Sequence, residues 1–224
     1  MFLTALAVFP GALLIYYVYK LDKIEGEPKT TLTRLLIFGA LTVIPAAIIE
    51  TILLSLFKGD SIFYYLIENF LFIALVEEGT KYIMLSTMWK KTEFNYQYDG
   101  VVYAVVISMG FAIVENIMYV FTMGGLQVAL LRAITSIPGH ALFAIYMGNY
   151  YGKAKMAEKM GQFTKKKNLL TYSLFVPVLL HGMYDFLATV NGLLFIPFVI
   201  VIEVCAFLNL KKYSKSDMPF PNVL

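Results

Sequence analysis

Seven side chains in this sequence are of types that carry acid–base or metal chemistry, and all lie among apolar neighbours: Glu77, Glu78, Lys81, Glu115, His140, His181 and Asp185. The stretch "LVEEGTKY" sets two adjacent glutamates and a lysine inside a long apolar run. An ionised group at the centre of a bilayer costs about 2.5–3.5 kcal/mol or more, so such groups are rare and face a partner or a wet cavity. Lys81 is four residues after Glu77 and three after Glu78, which lets it reach either carboxylate on one helical face. A lysine shared unequally between two carboxyls divides them into a base and an acid, the pair that hydrolysis requires. In "LLHGMYDF", His181 and Asp185 are also four apart, so the carboxylate fixes the tautomer and orientation of the imidazole. Pro177, one turn earlier, removes a backbone hydrogen bond and opens the helix near that pair.

The remaining polar groups at this depth read differently. Glu50, Glu68 and Glu203 are expected to be structural or interfacial. Glu68 lies nine residues before Glu77, half a helical circuit away, and so points to another side. "GNYYG", Gly148 to Gly152, fits a small-xxx-small helix-packing face and not a phosphate loop. No Ser–His arrangement and no aspartate pair in the apolar runs competes for the chemistry.

The elements that must position these groups follow from composition. The chain has 224 residues, 59% hydrophobic and 15% charged, with mean hydropathy +0.72. That balance lies outside the range of soluble globular chains. The apolar runs are long enough to cross a hydrocarbon layer of about 30 Å, which takes roughly 20 helical residues. The expected fold is an all-α polytopic transmembrane helical bundle of about seven spans, at 2–19, 35–57, 62–89, 100–122, 128–151, 169–190 and 192–210. The first run has no cation before it and no small-residue cleavage site after it, so it reads as a retained helix and not a signal peptide.

Most of the 18 Lys+Arg fall in the first, third and fifth connections and the C-terminal tail. The positive-inside rule then puts the N-terminus outside and the C-terminus in the cytoplasm, with Lys58 and Arg132 on the outer side. The basic stretch "KAKMAEKMGQFTKKK" is a cytoplasmic connection near anionic lipid, and no nucleic-acid partner is expected. Cys205, the single cysteine, excludes an intramolecular disulfide and reads as a small buried residue. Residues 1–224 read as one integral-membrane domain with its chemistry in 75–186. With a helical rise of about 1.5 Å per residue, Glu77, Glu115, His140, His181 and Asp185 fall at similar depths on four helices.

In order and spacing, "EEGTK" from Glu77 to Lys81, "GFAIVEN" with its Phe111-x-x-x-Glu115, "PGHALFAIYMG" around His140 and "HGMYD" from His181 to Asp185 resemble PrsW-type intramembrane proteases. The likeness extends to "YDGVVYA" at Tyr98 to Ala104 and to "FPGALLIYYVYKLDKIEGEP" near the start. That family belongs with the type II CAAX prenyl endopeptidases and bacteriocin-immunity proteases. Lys81 in place of arginine and Glu115 in place of histidine favour the PrsW branch over prenyl-protein processing. The resemblance implies an endopeptidase of a bacterial cytoplasmic membrane that makes the first cut in a single-pass anti-sigma factor. A second intramembrane protease would then release an extracytoplasmic-function sigma factor during envelope stress.

By the same resemblance Glu77 is the principal catalytic glutamate with Glu78 beside it, Glu115 helps to hold water, and His181 with Asp185 polarises the peptide carbonyl. His140 matches a family histidine whose role stays open between water activation and structure; Lys81 and Asn116, which ends "GFAIVEN", are supporting residues.

The expected mechanism is attack by water deprotonated at Glu77, with no cofactor. A zinc-dependent variant remains open, since Glu77, Glu115, His140 and His181 offer an oxygen/nitrogen ligand set, although HExxH spacing is absent. From another class, a small proton-coupled transporter would also place acids and imidazoles at the midplane, but the paired inverted repeat expected of one is not visible. A non-catalytic membrane scaffold would leave the complete motif set without a use.

Overall fold

In hydrocarbon a chain must satisfy its backbone polar groups internally, and long apolar runs do so as helices. The computed structural model describes residues 2–221, and among these the only strand-like pairing is an isolated bridge between Tyr96 and Pro219. Six helical stretches are long and apolar enough to cross a membrane: Leu3–Leu21, Lys29–Leu56, Asp99–Thr122, Gly125–Lys159, Phe163–Val190 and Gly192–Lys215. The remaining span is built from α4 (Ile62–Ile67), a π-helical segment (Glu68–Ala74) and α5 (Leu75–Ser86), which follow one another without a break. It is long enough to cross but less apolar, because it carries Glu68, Glu77, Glu78 and Lys81.

Helix α1 (Phe2–Leu21) leads to α2 (Lys29–Leu41) and α3 (Val43–Leu56), which share one span broken at Thr42. Pro45 causes that break, since it lacks the N–H that the Leu41 carbonyl would accept. After α6 (Asp99–Tyr119) comes a second π-helical segment (Val120–Gly124), then α7 (Gly125–Ile134) and α8 (Ser136–Lys159), broken at Thr135. Pro138 leaves the Ile134 carbonyl unpaired in the same way. Helices α9 (Phe163–Val190) and α10 (Gly192–Lys215) complete the bundle. The basic connection proves shorter than its composition suggests: α8 runs through "KAKMAEK", whose residues favour helix, and Lys155 donates to the Trp89 carbonyl at 2.8 Å.

The first, third and fifth connections and the C-terminal segment meet at one end of the bundle. Asn95 donates to Glu25 at 3.0 Å, the Gln97 N–H to the Met218 carbonyl at 3.1 Å, and Trp89 Nε1 to Glu158 at 3.3 Å. These connections also hold most of the cations, so charge and packing identify the same face. At the far end Ala7, Val120 and Ala129 cluster together.

Helix α6 is the centre, flanked by α2 and α8 through glycines that bring backbones together. A Cβ at Gly39 would lie 2.1 Å from the Ile107 carbonyl oxygen, and one at Gly148 would lie 2.2 Å from that of Gly100. A Cβ at Gly152 would lie 2.0 Å from the Gln97 oxygen, so "GNYYG" is the helix-packing face its spacing indicates. Cys205 differs from expectation: it is exposed on α10, because that outer helix packs on one side and turns the other toward lipid.

Candidate active site

Helix α5 begins where the π-helical segment ends. Such a segment carries i→i+5 hydrogen bonds, widens the helix and re-aims the residues that follow. It packs against α9 at Gly182, where a Cβ would meet the Phe70 ring at 2.6 Å. The same helix α9 carries His181, so the close approach brings His181 to Glu78.

Lys81 is the hub. Its ammonium lies 3.0 Å from Glu77 Oε2, 2.8 Å from Glu78 Oε1 and 3.2 Å from His140 Nδ1, and 4.0 Å from the centre of the Phe111 ring. Two chains of contacts leave this hub. In one, His140 Nε2 lies 2.9 Å from Glu115 Oε2, which also accepts from Arg132 at 2.8 Å; Arg132 Nε donates to Asn116 at 2.9 Å. In the other, Glu78 Oε1 lies 3.0 Å from His181 Nδ1, and His181 Nε2 lies 3.2 Å from Asp185 Oδ2. Phe143 stacks on His181 with ring centres 4.8 Å apart. Glu78 is 0% and Lys81 1% exposed, so these charges are compensated by one another and not by solvent.

All seven candidate residues therefore meet in one network. Asn116 stands behind it, buried, holding Arg132 and donating to the Ala7 carbonyl at 3.2 Å. Both intrahelical pairs form as their spacing requires, Lys81 with each glutamate and His181 with Asp185. Arg132, expected within the 128–151 span on the outer side, is a part-buried partner of Glu115. Its one sequence signal is a single cation in the apolar run "LQVALLRAITS". Glu50, expected to be structural or interfacial, lines the site cavity.

A cavity of about 510 Å³ opens on this network, lined by Glu50, Glu77, Glu115, Arg132, His140, His181 and Asp185 and by apolar residues of α3 and α9. Glu78 and Lys81 lie behind that wall. Of the two adjacent glutamates, only Glu77 faces the open space.

The donor chemistry also fits a divalent cation. Glu77, Glu78, His140 and His181 each offer a ligand atom, and these atoms lie within 4.8 Å of one another. Glu78 Oε2 is buried without a hydrogen-bond partner. Each histidine turns Nδ1 toward the cluster while a carboxylate holds its Nε2, the outer support typical of metal-bound imidazoles. Glu115 belongs to that outer support and not to the donor set: it engages the far nitrogen of His140.

Residues 27–209 match the family profile described as "PrsW family intramembrane metalloprotease". The chain is similar to "Protease PrsW" of Oceanobacillus iheyensis, 40% identical over 215 residues, covering 94% of this chain and 95% of that protein. It is 37% identical over 186 residues to "Protease PrsW" of Geobacillus kaustophilus, covering 83% of this chain and 79% of that protein. It is 34% identical over 183 residues to "Protease PrsW" of Bacillus subtilis, covering 81% and 80%. No solved structure matches it. A multi-pass bundle that gathers glutamates and histidines from four helices, together with these likenesses, shows that the chain belongs to the PrsW family of intramembrane proteases.

Proposed function

We propose that this peptidase hydrolyses a bond in a single-pass anti-sigma factor by water activated at Glu77, in a bacterial cytoplasmic membrane. The observation that carries the mechanism is that Glu77 alone of the adjacent glutamates opens on the cavity, beside His140, His181 and Asp185. Glu77 takes a proton from water, and the resulting hydroxide adds to the scissile carbonyl. Glu78 keeps Lys81 and His181 in place from behind. Lys81 and Arg132, with the imidazole N–H groups, give the site a positive field where negative charge develops on the carbonyl oxygen. Glu115 and Asp185 fix the two rings by holding their Nε2 atoms.

A divalent ion such as zinc would be held by Glu77, Glu78, His140 and His181, and would supply Lewis-acid polarisation and a more acidic water. The anti-sigma substrate class is supported by the family likeness, and a membrane-embedded site calls for a substrate that is itself in the bilayer. The cavity volume falls within the roughly 300–1,000 Å³ usual for sites that enclose a small ligand, which suits a short stretch of extended chain.

The test incubates purified protein in proteoliposomes with single-pass anti-sigma factors and maps fragments by mass spectrometry. Fragments made by the wild type and absent with Glu77→Gln support the reading; intact substrates overturn it. Ion flux lost in Glu77→Gln, without any fragments, would support the transporter reading. Stoichiometric zinc, with activity lost on chelation and regained on zinc addition, would assign the metal-dependent form.

A further inference from the structure

Helix α3 contributes Val43, Ala46, Ala47, Glu50 and Leu54 to the cavity wall, the spacing of one continuous helical face. Glu50 is therefore part of a built wall. The other carboxylates and both imidazoles lining the cavity are engaged: Glu77 with Lys81, Glu115 with His140 and Arg132, and His181 with Glu78 and Asp185. Among the described residues Glu50 has no ion-pair or hydrogen-bond partner, and its Oε1 is buried. A buried carboxyl oxygen left unsatisfied costs free energy in the resting state. At membrane depth such a group is retained where function uses it.

Hydrolysis of an amide needs a second proton transfer besides the one to the base, because an amine anion does not leave a tetrahedral carbon. Glu115 and Asp185 are committed to imidazoles, whereas Glu50 faces the same cavity as Glu77 from a different helix and is free to meet a substrate nitrogen. We propose that Glu50 is the acid that protonates the leaving amine, an inference that rests on the hydrolytic reading above. The Glu77 carboxylate takes a proton from water as the new C–O bond forms. The C–N bond then breaks with its electron pair going to nitrogen, and the Glu50 carboxyl O–H gives that nitrogen its proton. Afterwards the proton on Glu77 returns to Glu50 through cavity water, so each turnover consumes one water and no net proton.

This role makes the need for Glu50 depend on the leaving group, which neither a packing role nor a substrate-binding role would do. The test uses two synthetic single-span peptides, identical except that the bond cut by the wild type, located beforehand by mass spectrometry, is an amide in one and a thioester in the other. A thiolate leaves without prior protonation, so Glu50→Gln should lower kcat on the amide by about 10²–10³-fold yet cut the thioester at close to the wild-type rate. KM should change by less than about threefold, and the alkaline limb of the amide pH–rate profile should move in the variant. Glu77→Gln should be inactive on both peptides. Equal losses on amide and thioester, or full amide activity in Glu50→Gln, would overturn the assignment and leave the peptidase standing. If the wild type yields no cut bond to build into these peptides, the hydrolytic reading falls and this inference with it. Circular dichroism and melting of Glu50→Gln, expected to match the wild type, exclude misfolding as the cause of a loss.

Discussion

At membrane depth the buried Glu77 and Glu78 and the part-buried Glu115 lie beside Lys81, Arg132 and two imidazoles. At the end of the bundle where the connections gather, the part-buried Asp22 and the buried Glu27 and Asp99 bring carboxylate oxygens within 4.8 Å of one another, with no cation among the described residues paired to them. Asp99 is held by the N–H groups of Asn95 and Tyr96 at 2.9 and 2.7 Å, and Glu27 by the Tyr103 hydroxyl at 2.6 Å. Asp22 has both oxygens buried and unpartnered. Burial first, and then the neighbouring carboxylates, push Asp22 from the ordinary 3.8 up to about 7. Glu27 also rises to about 7, because burial outweighs its hydrogen bonds from Tyr103 and Asp99. The junction thus holds its acids together with protons, whereas the site holds its acids with cations. Charge removed by protons ties structure to pH.

The comparison breaks most visibly at Glu77. Glu77→Gln should reduce peptide cleavage by about 10²–10⁴-fold while the melting temperature stays within a few degrees, as measured by fragment release and thermal unfolding. Glu78→Gln should lose activity and stability together, since it breaks a buried ion network worth about 3–5 kcal/mol to disrupt; its melting temperature should fall clearly below that of Glu77→Gln. Arg132→Met removes an outer support of His140 through Glu115 and should cost about 10–100-fold in rate, read in the same assay. The smallest effect belongs to the junction. Because Asp22 and Glu27 keep protons up to about pH 7 only in the folded chain, the folded state binds more protons than the unfolded one between about pH 4 and 7. Stability should therefore fall as pH rises through that window. Asp22→Asn should narrow the difference in melting temperature between pH 5 and 8 without changing the cleavage rate at pH 7. An unchanged difference would show that the junction is not held by protons.

Much of this was legible in the sequence. Apolar runs gave the spans because hydrocarbon permits few alternatives to helix, and the cation bias marked the end at which the connections now meet. The contacts within one helix, Lys81 with its glutamates and His181 with Asp185, follow from helical geometry alone. Contacts between helices do not: His181 with Glu78, and His140 with Lys81 and Glu115, depend on the relative rotation of α5, α8 and α9. That rotation depends on a π-helical segment and on breaks at Thr42 and Thr135, all set by tertiary packing and by prolines acting four residues upstream. That Arg132 and Glu50 turn into the cavity was not legible for a related reason, since an ionisable residue in an apolar run has the same local signature whether it turns outward or into a cavity.

The glycine-mediated packing of α6 has a consequence for the surrounding lipid. Of the span windows, that of α6 is 72% buried, against 17% for those of α1 and α10. The central helix meets its neighbours through backbone, which cannot shear without steric clash, while the outer helices present side chains to the bilayer and can tilt to match its thickness. Thickness mismatch is then absorbed at the rim, and cleavage rates in thin and thick vesicles should differ little even where the outer helices change their inclination.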